Sequence, residues 1–430
     1  MKILTVSLTP WTYEDSFGNT YSNLFEGGAF DDCEFADIYC GFGNLHNSLN
    51  MRGFQITAHS LVANLKDKSI PSGTEVENNC EANNRTEAEN SRFTLARKLR
   101  WQVLYWARDL LWDIGRWKSS ELKAFIDDFK PDVIIQPVYY SSYMNDIACF
   151  VKDYSGAPMA GYISDDNYTL RQFSLSPLYW IDRFIKRPKV KKTIEKCEIL
   201  YVITKTQKVE YEKIFTPPCK VLTKGADFSG KCPDYPEVGE TVKIIYAGFA
   251  GLNRWKSLSL ISGEIEKLNK DKNNFVFDIY TPTPLTKRMK KALLRPGTEV
   301  HPPVSYAEIL KLQRDADILV HAEGLDLKNR LCTHQSLSTK IIDFFAMGKC
   351  ILAIGTYDEA SIKHLKDNDA ALIASSKKEV GELLRRILSD KSIILEYGYK
   401  AWECGKKHHD ISKIQAMLKE DLAKLAERKN

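Results

Sequence analysis

Short apolar runs and helical segments alternate along most of this 430-residue chain. The runs are rich in Ile, Val and Leu, and between them apolar residues recur at every third or fourth position, as on one face of a helix. Continuous apolar strands that alternate with helices are typical of a parallel sheet covered on both faces, so the pattern predicts an α/β fold. The predicted strands are Ile3–Leu8, Ala36–Cys40, Asp132–Gln136, Pro158–Ile163, Ile199–Thr204, Val242–Ala247, Phe275–Tyr280, Glu299–His301, Ile318–Ala322, Cys350–Ile354 and Ala371–Ala374.

The length of the chain exceeds the size at which a single hydrophobic core keeps growing, so we expect two domains. A segment with Pro and Gly over 229–240 has the composition of a linker. We therefore predict an N-terminal domain over 1–228, a C-terminal domain over 241–408 and a closing helix over 409–430. A polar stretch at about 66–91 predicts a mobile surface insertion with little regular structure.

Composition narrows the class of protein. Hydrophobic residues make up 43% of the chain and charged residues 27%, as in a globular protein that folds in water. The net charge of +5 suits an anionic ligand or a membrane surface and is too small an excess to indicate binding to nucleic acid. The ten cysteines form no C-x-x-C pair, which favours reduced thiols in the cytoplasm. Because Lys2 opens directly into a strand and no apolar run is long enough to span a bilayer, we expect neither a signal peptide nor a membrane-spanning helix.

The segment Ser336–Gly355 carries the most specific pattern. Ser338 and Thr339 stand just before a predicted helix, Lys340–Met347, and the free N–H groups and dipole of a helix start suit a phosphate. Asp343, one turn into that helix, is placed to accept hydrogen bonds from a ribose diol. A purely structural capped helix explains the same residues and stays an alternative.

A second candidate phosphate site follows the strand Val242–Ala247. Gly248 and Gly251 form a glycine loop, and Arg254 and Lys256 begin the next helix. A strand, a glycine loop and a helix bring the backbone close to phosphates, and the two cations suit a diphosphate. A structural turn is the alternative.

Two adjacent carboxylates, Asp165 and Asp166, follow the strand Pro158–Ile163, at the place where an α/β sheet holds an acid or base. Arg171 lies just downstream and is a candidate for binding a charged group. An aspartate pair in a loop is also typical of a turn or a helix cap, so that interpretation stays open.

Two other predicted strands end in loops with candidate site residues. The predicted long loop Thr9–Phe30 contains Gly18 and Asn19, and a glycine in such a loop permits close approach of a ligand. His321 and Glu323 end the strand Ile318–Ala322 on the same side of the second sheet. Flexible turns account equally well for the glycine-bearing loop.

Two stretches combine basic and aromatic residues. The segment 92–117 is a predicted amphipathic helix with the apolar stripe Leu95, Leu99, Val103, Trp106, Leu110 and Ile114, and the segment 180–196 is strongly basic. Either suits an anionic membrane surface, and the second also suits a phosphate on an acceptor. A core-packing helix with a solvated basic face is the alternative for both.

The segment Ser336–Gly355 resembles the nucleotide-sugar motif of retaining GT-B glycosyltransferases of group 1, the family 4-like type. In that family the pattern is Pro/Ser-x-Lys-x-x-Glu-Tyr-x-Ala-x-Gly-Lys-Pro-Val, and the matching or nearly matching positions here are Ser338, Lys340, Asp343, Phe344, Ala346, Gly348 and Lys349. Asp343 replaces the usual Glu, Cys350 replaces the usual Pro, and Gln335 stands where many members carry a second Glu.

The resemblance implies two Rossmann-like, doubly wound domains with an interdomain cleft, and a closing helix that crosses back onto the first domain. The N-terminal domain would face the acceptor, with Gly18, Asn19 and Arg171 as acceptor-binding residues and Asp165 and Asp166 as catalytic candidates. The C-terminal domain would hold the donor through Gly248, Gly251, Arg254, Lys256, Ser338, Thr339, Lys340 and Asp343.

The activity that the resemblance implies is retaining, hexosyltransferase-like sugar transfer from a nucleotide diphospho-sugar, without a metal or other cofactor. The implied acceptor is a glycan, a lipid-linked oligosaccharide or another surface polysaccharide, and the implied location is the cytoplasm, peripherally at the inner face of the cell membrane. Two alternatives share the fold: a nucleotide-sugar epimerase and a non-catalytic scaffold subunit. The sequence does not specify the sugar, the nucleotide, the acceptor or the oligomeric state.

Overall fold

The computed structural model describes residues 1–13, 16–78 and 102–429. Contacts divide the chain into two compact units. The N-terminal unit comprises Met1–Leu170, Ser174–Leu222 and Ser412–Asn430, and the C-terminal unit comprises Arg171–Phe173 and Thr223–Ile411.

The N-terminal unit is built on one sheet, which has eight strands in the described part of the chain. They are β1 (Lys2–Ser7), β2 (Glu34–Tyr39), β3 (Arg52–Ile56), β4 (Gly73–Val76), β5 (Val133–Pro137), β6 (Met159–Ile163), β7 (Ile199–Val202) and β8 (Cys219–Val221). Their order across the sheet is β4-β3-β2-β1-β5-β6-β7-β8, and all neighbours are parallel apart from β3 and β4. The strand order reverses direction between β1 and β5, as in a doubly wound sheet.

Helices pack on both faces of this sheet. Those that precede the second unit are α1 (Ser16–Phe25), α2 (Ala58–Lys66), α3 (Gln102–Ile114), α4 (Ser120–Phe129), α5 (Ser142–Ser155), α6 (Pro177–Glu195) and α7 (Lys205–Tyr211). Two buried clusters line the two faces, and in each of them alternate residues of the strands meet apolar helix residues.

Helix α1 lies where the sequence predicts a loop, so the loop prediction for Thr9–Phe30 is wrong over Ser16–Phe25. Phe17, Tyr21 and Phe25 recur at four-residue spacing and pack around the buried ring of Trp11. This aromatic cluster outweighs the low helix propensity of the glycine and asparagine in the segment.

The predicted insertion at about 66–91 is partly ordered. Strand β4, Gly73–Val76, lies within this stretch and pairs antiparallel with β3. Residues 79–101 lie outside the described part, as does the beginning of the predicted helix over 92–117, which the structure shows from Gln102 onward.

The C-terminal unit contains a second, fully parallel sheet of six strands among the described residues. They are β9 (Val242–Ala247), β10 (Phe275–Tyr280), β11 (Thr298–His301), β12 (Ile318–Ala322), β13 (Cys350–Ile354) and β14 (Leu372–Ala374). Their order is β11-β10-β9-β12-β13-β14, which is the dinucleotide-binding strand order with its reversal between β9 and β12.

Nine further helices complete the described chain. They are α8 (Arg254–Leu268), α9 (Lys287–Leu293), α10 (Tyr306–Asp315), α11 (Leu327–Thr333), α12 (Lys340–Ala346), α13 (Ala360–Asp367), α14 (Lys377–Ser389), α15 (Ser392–His408) and α16 (Ile411–Ala426). Helix α11 lies in a polar stretch for which the sequence analysis predicted no helix, and Asp326 caps it by accepting a hydrogen bond from the N–H of Asn329. The sequence reasoning also missed α15, which packs beside β13 and α12.

Most of α16 belongs to the N-terminal unit. Gln415 donates hydrogen bonds from Nε2 to the carbonyl oxygens of Asn23 and Glu26, at 3.3 and 3.1 Å. Asp421 accepts from the hydroxyl of Tyr201 at 3.2 Å and pairs with Lys220. The chain therefore returns to its first unit after completing the second.

Two parallel-rich α/β sheets with helices on both faces confirm the predicted fold class of two Rossmann-like domains. None of the helices in the described residues combines the length and the apolar character needed to cross a bilayer.

Candidate functional site

The strand order of the C-terminal sheet reverses between β9 and β12, which are direct neighbours. In open α/β sheets, ligands bind beyond the carboxyl ends of the strands at this reversal. Gly248 follows β9 and Glu323 follows β12, and each leads into the next helix. The predicted donor residues Gly248 and Arg254 therefore lie at the place where the topology favours a ligand.

Gly248 leaves room for the ammonium group of Lys340. Its φ of +153° is a conformation that favours glycine, and a Cβ at this position would lie 2.1 Å from Lys340 Nζ. The N–H of Gly248 donates to the carbonyl oxygen of Tyr280 at 2.9 Å, which fixes the loop against β10. A side chain at position 248 is therefore incompatible with the observed place of Lys340.

Lys340 reaches from the start of α12 to the end of β9, where its Nζ donates to the carbonyl oxygen of Ala247 at 2.9 Å. Lys340 as a whole is exposed, but atoms of the glycine loop crowd its ammonium group, and this desolvation, followed by the positive charge of nearby Arg254, lowers the pKa of Lys340. The two predicted donor cations are thus brought together, although 86 residues separate them in the chain.

Arg254, the first residue of α8, is held by the carboxylate of Glu323. Its Nε and Nη2 donate to Glu323 Oε2 at 3.2 and 2.9 Å. The Glu323 side chain is 4% exposed and the Arg254 side chain 23%, so the pair is largely withdrawn from water. The other oxygen of Glu323, Oε1, lies 3.4 Å from His321 Nε2.

Burial by itself would raise the pKa of Glu323, but His321 and Arg254 outweigh this effect and lower it. Glu323 is therefore ionised at neutral pH. The two cations Arg254 and Lys340 stand beside this carboxylate, and the charges of Glu359 and Asp343 also act on them. Such a cluster of positioned donors suits an anion that carries more than one oxygen, such as a phosphate.

Helix α12 is shorter than predicted, and a backbone N–H just before it already has a partner. The helix has seven residues, and Thr339 at its N-cap makes no capping hydrogen bond through its side chain within the described chain. The N–H of Ser338 already donates to Ser361 Oγ at 3.1 Å. Within this segment, Lys340 is therefore the residue whose position best supports contact with a phosphate.

Asp343, the predicted ribose ligand, accepts a hydrogen bond from Lys224 Nζ at 2.8 Å. Lys224 was not among the site residues predicted from the sequence. Tyr306, at the start of α10, is exposed and lies near enough to Asp343 and Lys224 for their charges to affect its pKa. A ribose that binds Asp343 would have to share it with Lys224 or displace it.

Gly251 and Lys256, two other predicted donor residues, contribute differently. A Cβ on Gly251 would meet the exposed ring of Phe249 at 2.1 Å, so the glycine allows this tight turn. Lys256 is exposed, and its Nζ lies 5.8 Å from the centroid of the Trp255 ring. The structure therefore places Lys256 on the surface of α8 and away from the contacts that join Arg254 to Glu323.

In the N-terminal unit, Asp166 has a structural environment. Its carboxylate accepts the N–H groups of Tyr168 and Thr169 at 3.1 and 2.7 Å and the hydroxyl of Thr169. It also accepts the Tyr211 hydroxyl at 3.3 Å and faces Arg183 at 3.5 Å. These contacts stabilise the turn after β6, which corresponds to the turn interpretation of this residue.

Asp165 is exposed at the end of β6, next to this turn. Its carbonyl oxygen accepts a hydrogen bond from Gln207 Nε2 at 3.2 Å, so the backbone there is fixed. Of the two predicted catalytic carboxylates, Asp165 is the one whose side chain faces solvent.

The predicted acceptor residues Gly18, Asn19 and Arg171 have different environments. Gly18 is buried in α1, and a Cβ there would lie 1.8 Å from the carbonyl oxygen of Thr12, so the glycine serves close backbone packing. Asn19 is exposed on the same helix. Arg171 is exposed and belongs to the C-terminal unit by its contacts.

Among the described residues, one group of side chains has the spacing to hold a metal ion: Asp278, Glu299 and His301 on β10 and β11. His301 Nε2 lies 2.7 Å from Asp278 Oδ1, and the His301 ring stacks on Tyr280 at 4.6 Å. Because these contacts already satisfy His301, a metal is not needed to explain the group. The predicted metal independence of the chemistry stays a prediction.

No protein-family model matches the chain, and no curated protein matches it significantly in sequence. Solved structures do match. Anabaena Alr3699/HepE in complex with UDP superposes with a TM-score of 0.62 at 10% identity, covering 99% of this chain and all of that one. A sucrose-phosphate synthase from Thermosynechococcus elongatus gives 0.61 at 9% identity, and a glycosyltransferase from Rickettsia africae gives 0.59 at 12% identity, each covering 99% of this chain and 98% of the other.

The chain therefore has the fold of the GT-B glycosyltransferases along nearly its whole length. At these identities, what it shares with the matched structures is the fold. The resemblance deduced from the Ser336–Gly355 motif is confirmed at that level.

Proposed function

We propose that this protein is a glycosyltransferase that takes a sugar from a nucleotide diphospho-sugar held in its C-terminal unit. The observation that supports this most directly is the meeting of Arg254 and Lys340 at the reversal of the strand order, beside a glycine that leaves space for the ammonium group. Glycosyl transfer of this kind expels a nucleoside diphosphate, and the developing charge on its phosphate oxygens needs fixed positive donors.

In this proposal the two cations have different parts. Lys340 supplies a compact charge at the end of β9, and Arg254 supplies a planar set of donors that Glu323 holds in place. Preorganised donors cost no reorganisation when the leaving group forms, which is why they lower the barrier. Thr339 and the glycine loop Gly248–Gly251 would complete the contacts to the diphosphate, and Ser338 would join them after its N–H exchanges its bond to Ser361 Oγ.

Asp343 would bind the ribose after exchanging or sharing its contact with Lys224. Lys256 would act from the surface of α8, at the margin of the site. The nucleotide is proposed first as a uridine diphosphate, since the Anabaena protein of the same fold was solved with UDP, with UDP-glucose and with UDP and glucose.

On the acceptor side, we propose Asp165 as the catalytic carboxylate, with Asp166 setting the shape of the turn that presents it. Gly18, Asn19 and Arg171 remain proposed acceptor residues. The proposed acceptor is a glycan, a lipid-linked oligosaccharide or another surface polysaccharide, and the proposed location is the cytoplasm at the inner face of the membrane. Retention of the anomeric configuration and independence of metal ions belong to the same proposal.

The test is turnover of nucleotide sugars by the purified chain, with and without a mixture of short glycan acceptors. Release of nucleoside diphosphate together with a glycosylated product, unchanged by EDTA, is expected, and nuclear magnetic resonance of the new linkage reads its configuration. Inversion of a sugar centre without any acceptor would identify an epimerase instead. Absence of binding to every nucleotide sugar would identify a scaffold.

A further inference from the structure

Helices α3 and α6 of the N-terminal unit expose apolar side chains on their outer surfaces. We call these side chains together the apolar surface. Its principal members are Val103, Leu110, Ile114, Ile181, Phe184 and Ile185, and all of them are more than two-fifths exposed. The stripe that the sequence predicts as the apolar face of the helix over 92–117 thus faces outward at Val103, Leu110 and Ile114.

Helix α6 is amphipathic, but its apolar side chains face outward and its charged ones are buried. From Pro177 to Pro188, every exposed residue is apolar and every buried residue is charged. The buried ones are Asp182, Arg183 and Lys186. A helix whose outer side faces water normally has the opposite arrangement, so the outer face of α6 is suited to surroundings that are less polar than water.

Two of the buried charges, Asp182 and Lys186, are satisfied between the two helices, whereas Arg183 pairs with Asp166 and donates to the carbonyl oxygen of Thr169 in the turn after β6. Lys186 Nζ lies 2.8 Å from Asp182 Oδ1 and 3.7 Å from Asp109 Oδ2 on α3. Trp106 Nε1 on α3 donates to Asp182 at 3.0 Å. Residues further along α3 contact residues further along α6, so the two helices run parallel and present one continuous outer face.

Basic residues gather where these two helices end. A cavity of about 590 Å³ is lined by Arg116, Lys118 and Lys192, together with three carboxylates. Two of the carboxylates, Asp113 and Asp146, pair with Lys189 and the third pairs with Lys196. The cavity lining itself is therefore balanced, and the excess of positive charge lies where α6 ends, since residues 187–196 carry five cations, Lys191 and Lys192 among them, and one carboxylate.

We propose that the apolar surface binds the interface of a lipid bilayer that contains anionic lipids. Exposed Leu, Ile, Val and Phe side chains next to lysine and arginine are the composition of helices that lie in a membrane interface. The excess positive charge complements anionic headgroups, which is the reason to choose a bilayer over a second copy of the chain.

The proposal rests on the membrane location proposed above and deepens it by naming the surface, but it does not depend on the sugar transfer, since binding to vesicles is measured without any substrate. The purified full chain is sedimented with phosphatidylcholine vesicles that contain about 30 mol% phosphatidylglycerol, and with vesicles of phosphatidylcholine alone. We expect binding to the anionic vesicles that weakens as salt is added.

The decisive variant is the double substitution Phe184→Ser and Ile185→Ser, at two side chains that are 57% and 51% exposed. It should weaken partition to the anionic vesicles by at least about tenfold, because it removes two apolar groups from the buried contact. The matched control is Tyr399→Ser, which alters a side chain that is also 57% exposed in the other unit and should leave binding unchanged.

A second variant, Lys191→Gln with Lys192→Gln, should weaken binding to anionic vesicles and leave binding to neutral ones unchanged. Circular dichroism and the melting temperature confirm that each variant is folded. The proposal is overturned if the parent chain does not bind anionic vesicles, or if the Phe184 and Ile185 double variant binds as the parent does. Loss of a dimer in the same double variant, seen by analytical ultracentrifugation without lipid, would assign the surface to a second copy and also overturn it.

Discussion

Arg254 directs two of its donor nitrogens, Nε and Nη2, at a single oxygen of Glu323. The guanidinium is therefore held at one edge, and its Nη1 edge is not used by this pair. Because Glu323 is buried at the end of β12 and Arg254 begins α8, the pair joins the two strands that flank the reversal of the strand order. This contact determines where the positive charge of Arg254 stands before any ligand arrives.

Replacing Glu323 by Gln should lower kcat by roughly tenfold without raising the KM for the donor. The amide still accepts one hydrogen bond, but it no longer fixes the guanidinium through charge. Removal of the carboxylate also leaves the cluster more positive, which favours binding of the diphosphate in the ground state. Steady-state kinetics with a turned-over nucleotide sugar separates the two constants.

The matched control for that substitution is Glu264→Gln, because Glu264 is also buried in this unit and pairs with Lys267 on α8. It should leave both kinetic constants unchanged. A rise in KM at constant kcat for the Glu323 variant, or equal effects of the two variants, would show that Glu323 does not position Arg254 for catalysis.

Lys340→Met should weaken donor binding by about 10- to 100-fold, because a charge-assisted hydrogen bond contributes about 1.5–3 kcal/mol. Desolvation and Arg254 lower the pKa of Lys340, so its ammonium is neutralised at a lower pH than an ordinary lysine. Donor affinity of the parent should therefore fall as the pH rises through that pKa. The thioether of Met carries no proton, so the variant should lack this alkaline loss.

Isothermal titration calorimetry with the nucleoside diphosphate over a series of alkaline pH values measures this dependence. An alkaline loss of affinity of the same size in parent and Lys340→Met would assign the titration to another group.

Gly248→Ala should reproduce the effect of Lys340→Met on donor binding. The new methyl group would lie 2.1 Å from the present position of Lys340 Nζ and would force the ammonium away. Alanine at a φ of +153° should also lower the free energy of unfolding by about 1–3 kcal/mol. If both variants act through the same ammonium group, the double variant should bind no more weakly than either alone.

The control is Gly230→Ala, since a Cβ at Gly230 meets nothing within 4 Å and its φ is ordinary. It should alter neither binding nor stability. Fully additive losses of binding energy in the Gly248 and Lys340 double variant would contradict the proposed contact between the loop and the ammonium group.

The stability of the C-terminal unit should fall as the pH is lowered below about 6.5, through His409. This buried imidazole lies 3.0 Å from Thr223 Oγ1 and 2.9 Å from His364 Nε2. Burial, and then the neighbouring His364 and His408, lower its pKa to about 3. Between these pH values the unfolded chain binds a proton that the folded chain does not, so acid favours unfolding by up to about 1.4 kcal/mol per pH unit.

Urea denaturation at a series of pH values measures this slope for the parent and for His409→Asn, which carries no titrating group at that position. The variant should lose less stability per pH unit over the same range. Identical slopes would show that the folded state accepts the proton at His409 at little cost.

The fold was largely predictable because buried parallel strands are continuous apolar runs, which survive in sequence as a strong local signal. Helix α1 was missed because its stability comes from packing Phe17, Tyr21 and Phe25 around Trp11, which is a tertiary effect. The inverted face of α6 was missed for a related reason. Its spacing of apolar residues is the same whether that face points inward or outward, so periodicity alone could not show that Arg183 and Lys186 are the buried members.

The candidate site was predicted in part. The glycine loop, Arg254 and Lys340 were named because each belongs to a local pattern, and the structure brings these three together. The pairing of Arg254 with Glu323 and of Asp343 with Lys224 was not predicted, since both contacts join residues that are more than sixty positions apart. Asp166 was named as catalytic from its position after a strand, whereas its bonds to the following turn depend on backbone geometry that the sequence does not specify.

The most direct test of the account is the change in melting temperature produced by a panel of UDP-, GDP- and ADP-sugars on the parent, on Lys340→Ala and on Lys378→Ala. Lys378 is an exposed lysine of the same unit and serves as the control for loss of a positive charge. A ligand that binds only the folded chain raises the melting temperature of the protein, by an amount that grows with the logarithm of the ligand concentration relative to its Kd. We predict that one nucleotide class stabilises the parent and Lys378→Ala and leaves Lys340→Ala almost unshifted. An equal shift in all three proteins, or no shift in the parent with any sugar nucleotide, would contradict a donor site at Gly248, Arg254 and Lys340.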